Sequence, residues 1–173
     1  LGGHPDRTKV PGAEASTGSL GHGLGLAAGL AAGLRIQGKQ NRVFALVGDA
    51  ECNEGTIWET ALIASHRRLG SLVCIIDNNH SAEKVLPVPN FAKKFEAFGW
   101  ETHEIDGHSK KEISEVFSKI QCAFEGKPIA IVANTVKGKG VSYMEADFGH
   151  WHHRTPAGKD LDQALQELNS GQS

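Results

Sequence analysis

Two short apolar runs, Val43-Phe44-Ala45-Leu46-Val47 and Leu72-Val73-Cys74-Ile75-Ile76, constrain this chain more than any other feature. Each lacks polar alternation and is bounded by polar residues, the pattern of a strand buried on both faces. Residues 54–69 between them read as a helix, so the order is strand, helix, strand. Parallel neighbours joined by a right-handed crossover place the carboxyl ends of both strands on one sheet edge. That edge gathers Gly48-Asp49-Ala50-Glu51 after the first run and Asp77-Asn78-Asn79 after the second, although they lie far apart in sequence.

The rest of the chain extends this alternation. Residues 1–18 are rich in Gly, Pro, Thr and Ser and predict an extended surface segment. Residues 18–36, dominated by Gly, Ala and Leu, predict a helix, although each interior Gly costs about 1 kcal/mol relative to Ala. Small residues at that cost suggest close approach by another backbone or a ligand. A helix near 91–98, a strand over 101–105, a helix over 110–124 and a buried strand over 128–133 follow; Ile113, Val116, Phe117 and Ile120 fall on one helical face. Residues 134–159 are Gly-rich and predict a long irregular loop, of the kind that is more often functional than idle. Residues 160–168 close as a short helix. The fold class expected is α/β, a single domain over 1–173 with a mainly parallel sheet and helices on both faces.

Composition narrows the partners. Eighteen Lys plus Arg against twenty Asp plus Glu provide no basic field for nucleic acid. No run approaches the roughly twenty apolar residues of a membrane span, and the first residues lack a signal pattern. Cys52, Cys74 and Cys122 are odd in number and widely spaced, as free thiols in a reducing cytoplasm are.

At the shared edge, Asp49 and Asn79 offer one carboxylate and one amide oxygen, which suit a hard cation. Mg²⁺ keeps waters and completes its shell with phosphate oxygens rather than a full protein cage. The competing account is a strand-end Asp and turn Asn residues, both common. A helix start near Gly55 adds unpaired amides and a positive dipole end on the same side, favouring a diphosphate. Other motifs fail on context. Gly23-Leu24-Gly25-Leu26-Ala27-Ala28 satisfies GxGxxA but follows no buried strand, and Gly138-Lys139-Gly140 lacks the P-loop frame. The adjacent histidines of His150-Trp151-His152-His153 do not have the spacing of a zinc site. His108 reads as a turn residue.

Taken together, these motifs resemble those of the transketolase family. The carrying motifs are Gly48-Asp49-Ala50-Glu51, Glu54-Gly55, Trp58-Glu59 and Asp77-Asn78-Asn79, with Ala50 where the family usually has Gly. Gly3-His4-Pro5-Asp6, Ser16-Thr17-Gly18-Ser19-Leu20-Gly21, Asp106-Gly107-His108, the segment from Thr135 to Gly140 and Trp151-His152-His153 occur in the family's order. The resemblance is nearest to the N-terminal subunit of split transketolases. It implies thiamine diphosphate with Mg²⁺, or Ca²⁺ or Mn²⁺ in its place, held by Gly18, Leu20, Gly48, Asp49, Ala50, Glu51 and Asn79, the metal by Asp49, Asn79 and the carbonyl of Ser81. It implies His4 and His152 as catalytic proton carriers and Glu54 and Glu59 as acidic residues where two cofactor-binding domains meet. The implied activity is transfer of a two-carbon ketol unit between sugar phosphates, once a complementary C-terminal subunit supplies the pyrimidine-binding domain; a homo- or hetero-oligomer is expected. Another thiamine diphosphate enzyme remains open, whether deoxyxylulose phosphate synthase, a dehydrogenase E1 component or a biosynthetic acyl or ketol transferase. So does a noncatalytic assembly domain.

Two departures from the pattern carry expectations. After Asn79-His80 the chain runs directly into Ser81-Ala82-Glu83-Lys84-Val85 where the family has a Leu-Gln-Ile-Asp-Gly-like stretch, which suggests residues missing between His80 and Ser81. The family also carries strands before the Gly-His-Pro segment, so the domain reads as N-terminally incomplete.

Overall fold

The computed structural model describes residues 3–84, 86–120 and 125–171. Helix α1 (His22–Ile36) leads into strand β1 (Val43–Gly48), a 3-10 turn (Asp49–Asn53), α2 (Gly55–His66) and β2 (Leu72–Asn78). A second 3-10 turn (Ala82–Lys84), α3 (Phe91–Ala97), β3 (Glu101–Asp106), α4 (Lys110–Lys119) and β4 (Ile129–Asn134) follow. The chain ends with α5 (Ser142–Ala146), α6 (Phe148–Trp151) and α7 (Lys159–Ser170).

The four strands form one parallel sheet in the order β1-β2-β4-β3. Register sets Gly48 opposite Asp77, and Asp77 opposite Ala133, so the β1, β2 and β4 ends are level. That alignment builds the site edge.

Side-chain alternation along each strand divides the core. One face packs Leu72, Cys74, Ile76, Ala130 and Val132 against Leu24, Ile57, Ala61 and Phe95 from α1, α2 and α3. The other packs Val73, Ile129 and Ile131 against Val116 and Ile120 at α4. Helices therefore lie on both faces, as the sequence predicts, but unequally: Phe44 and Leu46 on the outer face of β1 remain 48% and 70% exposed.

Helix α1 buries Leu24, Ala27, Ala28 and Ala31, a single stripe at helical spacing whose small side chains admit the sheet closely. It begins at His22 rather than 18, because Gly21 sits in the left-handed region at φ 77°. Asn90 caps α3, its side chain accepting the Lys93 N–H at 2.9 Å, and Ser109 caps α4 in the same way with Glu112 at 3.2 Å. The predicted helix over 110–124 is seen to Lys119; its last four positions, Cys122 among them, lie outside the described residues.

One expectation is corrected. Residues 134–159 are not irregular throughout, since α5 and α6 occupy the middle of the stretch. Helix α7 holds α5: Glu167 accepts the Ser142 N–H at 2.6 Å and its hydroxyl at 2.7 Å, and the Tyr143 hydroxyl donates to the Asp160 carbonyl. Helix α6 is held by α5, with the Trp151 ring 4.9 Å from that of Tyr143, and is capped by Asp147, which accepts the His150 N–H at 3.2 Å. Helices this short have weak sequence signals, and here tertiary bonds hold them. Among the described residues no helix is long and apolar enough to cross a membrane.

Candidate functional site

Asp49 follows the last residue of β1 and is 2% exposed. One carboxylate oxygen accepts the Ala50 N–H at 2.7 Å; the other accepts the Ala82 N–H at 3.2 Å. Neither partner is cationic, and no Lys, Arg or His among the described residues pairs with it. A buried carboxylate without a counter-charge is costly unless a cation completes it. Two amide bonds also leave part of its acceptor capacity free.

Asn79 reaches the same turn from β2. Its Oδ1 accepts the N–H of Ser81 at 3.1 Å and the Ser81 hydroxyl, while its Nδ2 donates to Asp77 at 2.8 Å. The neighbouring amides of Ser81 and Ala82 thus point one to Asn79 and one to Asp49, which draws both acceptors to one turn. His80, at φ 63°, makes the sharp reversal that allows this. Ser81 meets Asn79 through its N–H and hydroxyl. A cavity of about 500 Å³ opens beside Asp49, bounded by Asn78, Glu83, Phe91, Glu104 and Val132.

The loop after β4 joins from the other side. The Thr135 hydroxyl donates to Asp77 at 2.5 Å, and the Lys137 ammonium donates to the Ser81 hydroxyl oxygen at 3.2 Å. The same ammonium lies 2.6 Å from His152 Nδ1. Its charge, aided by partial burial and by His153, lowers the His152 pKa below its usual 6.5. The ring nitrogen facing a lysine must accept, so the neutral imidazole carries its proton on Nε2. His108 is more than a turn residue, since its Nε2 accepts the Val136 N–H at 2.8 Å and anchors this loop.

The front of the chain forms a second group. The His4 ring lies against Gly18, where an added Cβ would stand 3.3 Å from ring carbons. Leu20 is half-exposed. Glu51 spends one oxygen on the Gly21 N–H and the other on the Gly48 N–H, each at 3.0 Å, and so straps this segment to the end of β1. Glu54 precedes α2 and Glu59 lies on its first turns; both are exposed. Nearby, Asn53 Oδ1 and Thr56 Oγ1 are buried without a hydrogen-bond partner among the described residues.

The geometry brings Asp49, Asn79 and Ser81 together and adds His152 through Lys137. His4 and Gly18 pair separately, and no hydrogen bond or ring contact joins His4 to His152 among the described residues. Nor do three or more His, Cys, Asp or Glu converge on one point there, so no full protein cage for a metal is present among them. Sequence reasoning passed over Lys137, Asp77 and Thr135 as site residues. The available signal was position: all three lie at or just beyond the ends of β2 and β4, on the edge that holds Asp49.

Comparison with known proteins accords with this arrangement. The model of the family "Transketolase, thiamine diphosphate binding domain" matches residues 1–168. An apulose-4-phosphate transketolase subunit of Actinobacillus succinogenes is 40% identical over 97% of this chain and 62% of its own length. A 6-deoxy-6-sulfo-D-fructose transketolase subunit of a Clostridium species is 37% identical over 82% of this chain and 53% of its own. The crystal structure of Campylobacter jejuni transketolase superposes with a TM-score of 0.81 at 30% identity, covering 96% of this chain and 28% of that one. This chain therefore spans less than two thirds of the length of these relatives. On sequence and structure together, the chain belongs to the transketolase family, as its thiamine diphosphate binding domain.

Proposed function

We propose that this domain forms the diphosphate and metal side of an active site that moves a two-carbon ketol unit between sugar phosphates. The observation that carries the reading is Asp49: a carboxylate 2% exposed, met among the described residues only by amides, facing the same turn as the Asn79 carbonyl oxygen. A divalent cation, Mg²⁺ or in its place Ca²⁺ or Mn²⁺, fits this oxygen donor set. Asp49 and Asn79 would hold it, with Ser81 beside them and non-protein oxygens completing the shell. Asn79 Oδ1 has both lone pairs engaged by Ser81, so a cation there would have to take the place of the Ser81 hydroxyl.

Bound thiamine diphosphate supplies the electron sink for breaking a carbon–carbon bond beside a ketose carbonyl. The chain's own residues bind and move protons around it. Gly48, Asp49, Ala50 and Glu51 would hold the diphosphate, and Gly18 and Leu20 would border the cofactor. His152, neutral and with its Nε2–H available, donates to a sugar hydroxyl or phosphate, and His4 exchanges protons with substrate hydroxyls. The 134–159 segment acts as a functional loop that carries Lys137 and His152 to the site.

The pyrimidine-binding half comes from a complementary subunit. The "subunit" names of the Actinobacillus and Clostridium relatives support this, as do exposed Glu54 and Glu59 at the start of α2. Cytoplasmic residence belongs to the same reading, supported by the buried free thiols of Cys52 and Cys74.

Calorimetric titration of thiamine diphosphate with Mg²⁺ into the complex of this chain and its complementary subunit tests the proposal. Saturable binding by the unchanged complex, abolished by Asp49→Ala, is expected. A folded complex that binds nothing, or one indifferent to Asp49→Ala, sinks the cofactor reading and leaves an assembly domain.

A further inference from the structure

An asparagine side chain has two ends of nearly the same shape and opposite chemistry: a carbonyl oxygen that attracts a cation and an NH₂ that repels one. A metal site that relies on Asn79 therefore needs something to prevent rotation of the amide. We propose that Asp77 and Thr135 are positioning residues that lock Asn79 with its oxygen toward the cation; this rests on the reading of Asp49 and Asn79 as metal ligands.

The locking is chemical. Asn79 Nδ2 donates to an Asp77 carboxylate oxygen at 2.8 Å, and a carboxylate has no hydrogen to offer a flipped carbonyl. At the other end Asn79 Oδ1 accepts the Ser81 N–H at 3.1 Å, and an amide N–H has no lone pair to accept from a flipped NH₂. Two partners of fixed polarity, one on each end, both reject the wrong orientation. A cation that displaced the Ser81 hydroxyl would leave both the Ser81 N–H and Asp77 enforcing the choice.

Asp77 is itself held in place. As the sixth residue of β2 it pairs with Gly48 on one side and Ala133 on the other, so its backbone is fixed by two strands. Its second oxygen accepts the Thr135 hydroxyl at 2.5 Å, and no Lys, Arg or His among the described residues forms an ion pair with it. Thr135 is clamped in turn. Its N–H donates to the Asn78 carbonyl at 3.1 Å, and its methyl fills the space beside Gly107, where an added Cβ would lie 2.5 Å from it. Hydroxyl, carboxylate and amide thus form a line from β4 through β2 to the cation position, the outer-shell arrangement that orients a metal ligand.

The test uses Mn²⁺ as the probe, titrated in the presence of thiamine diphosphate into the complex of this chain with its complementary subunit, and read by electron paramagnetic resonance. Asp77→Asn, which lets the amide rotate, is expected to weaken Mn²⁺ binding by about 10–100-fold. Thr135→Val weakens it less, and Thr135→Ser, which keeps the hydroxyl, restores it; a merely structural role would not follow the hydroxyl. In the metal-free chain the Asn79 side-chain NH₂ is expected to show slow proton exchange by NMR, accelerated by Asp77→Asn. Mn²⁺ affinity unchanged in Asp77→Asn and Thr135→Val, or NH₂ exchange unaffected, overturns the positioning role while leaving the metal reading intact. If the unchanged complex binds no Mn²⁺, or Asp49→Ala leaves binding as it was, the metal reading fails and the positioning role with it. Should Asp77→Asn not fold, the Thr135→Val and Thr135→Ser pair decides by the same criterion.

Discussion

Replacing Gly21 by Ala is expected to destabilise the domain, whereas the same change eight residues on, at Gly29, is expected to stabilise it. Gly21 sits at φ 77°, and a Cβ there would stand 2.5 Å from Thr56 Oγ1 and 2.6 Å from Glu54 Cβ. The left-handed conformation costs a non-glycine residue about 1–2 kcal/mol. Relief of the contact with Glu54 moves the backbone and breaks the 3.0 Å bond from the Gly21 N–H to Glu51, worth about 1.5–3 kcal/mol for a charged acceptor. Ala also narrows the unfolded ensemble, returning about 0.4–1 kcal/mol, so the net loss is about 2–4 kcal/mol. For a chain of this size that lowers Tm by about 4–16 °C. Gly29 lies on α1 with nothing within 4 Å of its added Cβ, and Gly→Ala in a helix interior is worth about 0.5–1 kcal/mol. Reversible thermal melts followed by circular dichroism, with urea titrations alongside, measure both. A Gly21→Ala protein melting within about 2 °C of the parent would refute the strain argument, because about 2 kcal/mol cannot hide in so small a shift. A Gly29→Ala protein as destabilised as Gly21→Ala would refute the claim that the surroundings of the glycine set the sign.

Phe95, fully buried between Trp58 and Trp100, is expected to cost about 3–5 kcal/mol when replaced by Ala, measured by urea unfolding. His152 is expected to titrate below 6.5 by NMR, and Lys137→Met to raise its midpoint by removing the neighbouring charge. Because the folded value is the depressed one, its small contribution to stability is complete above pH 6.5 and is lost as pH falls through the folded value. Burial pushes the Cys52 thiol up to about 12 and raises Cys74 as well. With Cys122 replaced by Ser, DTNB at pH 8 is expected to find no thiol in the native chain and both after unfolding; rapid native labelling would contradict their burial.

Burial was legible where periodicity carried it. The apolar runs that became β1, β2 and β4 had no polar alternation; β2 and β4 proved largely buried, and β1 on one face only. Phe44 and Leu46 broke the pattern, because a run of apolar residues says that a strand is apolar on both faces and not that both faces are covered. The α5 and α6 turns were not legible, since α5 depends on bonds to α7 and α6 on the packing of Trp151 against Tyr143, neither of which local sequence can show.

The sequence by itself determined which groups meet at the sheet edge. Strand, crossover and strand in that order put the ends of both strands on one edge, which brings Asp49 and Asn79 to the same turn, and the motifs around them identify the family. Only the tertiary structure decided what surrounds those two residues. The direction of the Asn79 amide, the passage of Asp77 to Thr135, and the approach of Lys137 to Ser81 and His152 join side chains as many as fifty-eight positions apart. A hydrogen bond depends on tenths of an ångström and on angle, whereas sequence pattern specifies a face and a period. The edge could therefore be read from the chain, and its wiring could not.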